Sequence, residues 1–305
     1  MRRFALLLLM ATLSLAAQAP AKLFPACFAP DTMAVIRLDA TQVMDQALFQ
    51  EFLASKANEG GTFFDKVRKG TGVDLNTVKE AWIGVGARGK NQMVVVLKGI
   101  FDADAIQAQV ANIESMQVVQ RPGVPLAVIL NNTSNPDKTN AAAVLNKETL
   151  VFGRPELVDA FLTALLGQGE GLPPERAAQA NAMLKSKAMV ATLILNLPEK
   201  QIEKQPWLAL FTCAEIQATL TAQDVVLDVA LGLAKPEMRE PAIKTLEGVR
   251  DLYGLLDENL RRLGPTQTML LEGVTVKPDD KRLVVELALP REVVEQFLRQ
   301  KMGLQ

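Results

Sequence analysis

The chain has 305 residues, with 33 Lys and Arg against 34 Asp and Glu for a formal net charge of −1, and 49% of its residues are hydrophobic. Acids and bases are interspersed, so there is no basic patch or stripe of the kind that binds nucleic acid. Histidine is absent and cysteine occurs twice. That removes Ser-His-Asp and Cys-His nucleophile pairs, imidazole-bearing zinc sites and a four-thiolate site within one chain. No catalytic, cofactor or metal residue is therefore assigned. Carboxylate-only metal sites and paired-carboxylate hydrolysis remain open.

Residues 1–21, MRRFALLLLMATLSLAAQAPA, read as a secretory signal: Arg2 and Arg3, an apolar core from Phe4 to Leu15, then small residues. Cleavage after Ala19 or after Ala21 fits, with an uncleaved N-terminal anchor as the alternative. Removal of two arginines takes the balance to about −3. The apolar core is short of the roughly 20 residues that a spanning helix needs, and no later stretch reaches that length. The expected location is the periplasm or the cell exterior, with no transmembrane span after cleavage.

Cys27 and Cys213 both lie in the exported part. An even count in an oxidising compartment permits one disulfide between them. The pair also fits two separately buried free thiols, since the sequence does not show that the two sites approach each other. Lipid attachment at Cys27 is disfavoured, because Phe24 and Pro25 stand where a lipobox has small residues.

A first domain is expected over 22–166. It opens with a strand at 34–38, a helix at 41–54 and a short helix at 63–69. Strands at 81–87 and 92–98 precede a helix at 103–113 and extended runs at 116–120 and 126–130. A polar loop and a hairpin then lead to a helix from Pro155. GQGEGLPP, residues 167–174, reads as a linker. The second domain, 175–305, begins with a helix to Lys185, a strand at 189–195 and a helix at 198–209. Strands at 214–221 and 224–231 precede a long helix at 236–263. Leu246, Val249, Tyr253, Leu256, Leu260 and Leu263 give that helix an apolar stripe. Strands at 268–277 and 282–289 and a final helix complete it.

Three stretches recur in the same order in each half. MAVIRLDATQ (33–42) resembles MVATLILNLPEK (189–200), and residues 83–99 align without gaps to residues 216–232. FGRPELVDAFL (152–162) matches ALPREVVEQFL (288–298). Hairpins dominate, so the expected fold is α+β: two tandem related domains, each a mostly antiparallel sheet with helices packed on one face.

Residues 81–98 contain G-x-G-x-x-G at Gly84, Gly86 and Gly89, and Gly84, Gly89 and Lys90 also satisfy G-x-x-x-x-G-K. A nucleotide site needs these glycines to lead into a helix N-terminus. MVVVLK follows instead, and Asn91 stands where a phosphate loop has Ser or Thr. The stretch is read as a hairpin turn. The sequons at Asn131 and Asn132 read as a solvated loop, and Asp279 and Asp280 as a polar turn. Asp39 and Asn196 read as helix caps, Trp82 and Trp207 as packing residues.

FAPDTMAVIRLD (28–39) resembles the start of the mature region in exported bacterial proteins of uncharacterised function. AAAVLNKETLVFGRPELVDAFL resembles a hairpin–helix unit of such proteins. The resemblance implies an envelope protein and supplies no functional residues. The expectation is a non-enzymatic exported binding or scaffold module with an envelope partner. A carrier of an apolar ligand or lipid is the alternative, and a carboxylate-based hydrolase the remote one.

Overall fold

The structure, a computed structural model, describes residues 24–55, 57, 62–86, 92–131, 139–195, 199–204, 206–245, 274–278 and 282–302. The chain divides into two compact units, each built from two stretches: Met1–Thr32 with Phe64–Leu184, and Met33–Phe63 with Lys185–Gln305.

Among the described residues the first unit holds six strands, β2 (Glu80–Gly86), β3 (Met93–Lys98), β4 (Met116–Arg121), β5 (Val124–Leu130), β6 (Asn140–Asn146) and β7 (Thr149–Gly153). They lie in the order β2-β3-β7-β6-β5-β4, every neighbour antiparallel. Alternation along a strand sends successive side chains to opposite faces. Trp82, Val96, Val151, Ala143 and Ala127 are cross-strand partners in one row and so share a face. A 3-10 turn at Phe24–Cys27 and the helix α5 (Pro155–Leu165) cover it. Pro155 sits in the first turn, where no N–H is needed. Val158, Phe161 and Leu162 then recur at helical spacing on the buried side. Phe24 meets Phe28, Trp82 and Phe161 with ring centroids 5.4–5.9 Å apart.

Leu97, Leu150, Val144 and Leu126 line the opposite face. There Phe101 and the residues Ile106 and Val110 of α4 (Ala103–Val110) close a second core. The expectation of helices on one face is therefore corrected for this unit. Both faces of its sheet are apolar, so both require cover.

The described residues of the second unit also form six strands, antiparallel throughout, in the order β11-β12-β10-β9-β8-β1. These are β1 (Thr32–Asp39), β8 (Val190–Ile194), β9 (Phe211–Leu220), β10 (Asp224–Leu233), β11 (Val274–Pro278) and β12 (Arg282–Pro290). Ile36, Thr192, Ile216, Val229 and Val285 form an apolar row on one face. Gln217, Asp228 and Glu286 form a polar row on the other. Phe211, Ala242 and Leu283 are the buried centre of the core at one end of the apolar face. At its other boundary, α8 (Arg291–Met302) is tied to α2 (Ala47–Ser55) by the ion pair Arg299–Glu51 at 2.7 Å.

Pairing of β1 with β8, from Ala34↔Ile194 to Leu38↔Val190, draws residues 33–63 into the second unit. The chain passes between units at 184/185 rather than within 167–174. Residues of that glycine–proline stretch are held against the N-terminal turn instead. Leu172 is buried and its N–H donates to the Ala26 carbonyl at 2.9 Å.

The helix expected at 41–54 is two, α1 (Ala40–Met44) and α2, separated at Asp45 and Gln46, where Asp45 caps α1. The helix expected at 198–209 ends as α7 (Glu199–Lys204), and Pro206, which has no N–H to donate, opens a 3-10 turn. Residues 239–245 are helical, as expected from Pro236 onwards; the apolar stripe from Leu246 to Leu263 lies outside the described residues. The strand pairs aligned by the sequence repeat, β2-β3 and β9-β10, occupy matching places in β2-β3-β7-β6 and β9-β10-β12-β11.

Candidate functional site: a cleft at one end of the first sheet

The glycine-rich stretch is an antiparallel hairpin. Gly84 and Gly86 lie in β2, Val85 pairs with Met93, and the Gly86 N–H donates to the Gln92 carbonyl at 2.7 Å. Gly84 has a packing reason. A Cβ there would lie 2.4 Å from Cδ1 of Phe28, so only glycine lets that ring rest on the strand. Gly89 and Lys90 lie outside the described residues, as do Asn132, Asn196, Asp279 and Asp280.

Asp39 caps α1, its carboxylate accepting from the Gln42 N–H at 3.0 Å. Trp82 is fully buried, and Trp207 packs edge-on to Phe211, so both serve cores. Asn131 is exposed at the end of β5. The disulfide admitted between Cys27 and Cys213 is not formed, and both residues are thiols. Cys27 is buried in the first unit, whereas Cys213 stands on β9 of the second with its sulfur against Gly232. Burial pushes the Cys27 thiol up to about 11.

The sequence did not point to a cleft that the first unit contains. A cleft of about 1080 Å³ opens where three connections meet at one end of the sheet. They are the β4–β5 turn (Gly123, Val124, Pro125), the β6–β7 turn (Leu145–Glu148) and the link from β3 to α4 (Ile100–Asp102). The last turns of α5, with Leu162, Leu165 and Leu166, form the remaining wall. Gly123 takes φ +74° in the tight Pro122-Gly123 turn, a conformation that favours glycine. Ile100 and Leu166 are exposed at the cleft, 66% and 41% respectively.

Lys98 and Thr149 form its polar floor. Glu80, Lys98 and Thr149 are successive cross-strand partners on β2, β3 and β7. The Lys98 Nζ donates to Thr149 Oγ1 at 2.9 Å and stands 5.2 Å from the centroid of the Phe24 ring. Glu80 in turn accepts from the indole N–H of Trp82. Burial lowers the Lys98 ammonium from its ordinary value, against the pull of Glu80 and Glu148 in the other direction. The remaining charged groups, Asp102, Asp104, Lys147 and Glu148, are exposed at the rim. Asp102 is already engaged as the cap of α4, accepting from the N–H groups of Asp104 and Ala105. Among the described residues no cluster of acidic and thiol groups could hold a metal ion, and no helix is long and apolar enough to cross a membrane.

No family model and no curated protein matches the sequence. Solved structures of TP0453 do match the fold. Crystal form III superposes with a TM-score of 0.52 at 10% identity, covering 90% of this chain and 97% of that one. Crystal forms I and IV give 0.50 and 0.51 at the same identity, covering 91% and 90% of this chain and 96% and 95% of theirs. At that identity the likeness is one of fold.

Proposed function

We propose that the chain is an exported, non-enzymatic binding protein of the envelope, and that it holds an elongated, largely apolar ligand in the cleft of the first unit. The observation that carries this reading is the cleft's lining. Phe24, Phe101, Leu162, Leu165 and Val124 face a volume of about 1080 Å³, with a single half-buried charge in the floor. Small-molecule sites usually occupy roughly 300–1,000 Å³ and combine apolar walls with a few placed polar groups. The signal-like residues 1–21 support export, and the corresponding four-strand orders β2-β3-β7-β6 and β9-β10-β12-β11 support descent from a duplicated module. A hydrolytic reading lacks comparable support, because the Asp102 carboxylate is committed to a helix cap and Asp104 and Glu148 stand in solvent at the rim.

Ile100 and Leu166 give a test that spares the core, since both are exposed. A neutral naphthylamine dye, fluorescent only in apolar surroundings, is expected to bind the mature protein saturably. Ile100→Asp with Leu166→Asp should weaken it about tenfold or more, by placing charge in the mouth of an apolar site. Equal binding by the double variant, with an unchanged circular dichroism spectrum, would put the dye elsewhere and remove the reading.

A further inference from the structure

The charged groups of the cleft are graded by depth. Asp102, Asp104, Lys147 and Glu148 are in water, where a rim charge attracts weakly and is screened. Lys98 alone is half-buried, on the face of β3 that carries Val94, Val96 and, across the strand, Trp82. Its Nζ is held in place from two sides by groups without negative charge, the Thr149 hydroxyl and the Phe24 ring. Thr149 is itself 2% exposed, so the hydroxyl that accepts from the ammonium is held within the fold. Glu80 stands across the strand from Lys98, and its carboxylate is shared with the Trp82 indole N–H.

An ammonium fixed in an apolar recess is a receptor for an anion, because a charge-assisted bond gains strength where water is excluded. We infer that the polar end of the ligand is a carboxylate seated on Lys98, so that the ligand is a single-chain acidic amphiphile of the long-chain fatty acid class. Its chain lies against Leu162, Leu165 and Phe101. The inference rests on the proposed cleft reading. A lowered Lys98 is consistent with it: burial disfavours the ammonium against the pull of Glu80 and Glu148, and a bound anion would favour it.

The test compares palmitate with the alcohol, amine and phosphate of the same chain length, each displacing the neutral dye from the mature protein. Palmitate is expected to bind at least about tenfold tighter than the alcohol. Lys98→Arg should keep that preference. Lys98→Met should abolish it, with an unchanged circular dichroism spectrum showing that the variant is folded. The preference should be full while Lys98 is protonated and vanish as pH rises through its lowered pKa. Equal affinity for acid and alcohol, a preference that survives Lys98→Met, or tighter binding of the amine would overturn the anion site while leaving the cleft reading intact. Tighter binding of the alkyl phosphate than of palmitate would overturn the carboxylate and point to a phospholipid head group. Failure of every chain to displace the dye would contradict the cleft reading itself.

Discussion

Burial sets the chemistry of Cys27. The thiol sits beside the Phe24–Phe28 cluster, where water is excluded and the thiolate is disfavoured, and it titrates near 11. In the unfolded chain a thiol ionises near 8.5. The folded pKa is thus the higher one, so the contribution to stability is full below about pH 8.5 and is lost as pH rises towards about 11. Denaturant titrations across that window should show the wild type losing about 1–3 kcal/mol relative to Cys27→Ala. Parallel pH curves for the two proteins would contradict the buried thiol. At the same scale, Gly84 shows what a motif can conceal. Its spacing matches a nucleotide loop, while its reason is the ring of Phe28 lying against its Cα. Lys98 shows the reverse. In MVVVLK the period of two places Lys98 on the face of Val94 and Val96, a lysine at the end of a buried row. That signal was present in the sequence, and only the company of Phe24 and Thr149 gives it meaning.

Elements were legible where a local pattern decides them. The hairpins β2–β3, β9–β10 and β6–β7 follow from alternation and turn residues, and α5 from Pro155 and its helical apolar spacing. The misread helices failed at single residues. Asp45 ends one helix by capping it, and Pro206 ends another by lacking a donor. The side of the sheet that a helix covers is not local, and α4 and α5 were placed on one face for want of register. Two substitutions separate the energetic roles of these elements. Phe161→Ala removes a side chain 1% exposed from the aromatic cluster under α5 and should cost about 3–5 kcal/mol. Asp39→Ala removes one cap bond of α1 and should cost about 0.5–2 kcal/mol. Chemical denaturation of the two variants checks the order; an Asp39→Ala loss as large as that of Phe161→Ala would contradict it.

On the scale of the whole molecule, composition and patterning conveyed an α+β chain with antiparallel strands. They could not convey that residues 33–63 join the second unit, because a β1–β8 pairing spans about 150 residues of sequence and leaves no local trace. The cleft was hidden for the same reason. Its walls come from segments near residues 24, 98–104, 123–125, 144–149 and 162–166, none of which carries a motif alone. Composition excludes histidine-based catalysis and four-thiolate metal sites, and the cleft is the concavity on which the proposed binding role rests. Native mass spectrometry of the protein purified gently from its own envelope tests this most directly. The account predicts a co-purifying acidic amphiphile of one alkyl chain, lost from the Ile100→Asp, Leu166→Asp double variant. Ligand-free masses for both proteins, or the same adduct on both, would contradict it.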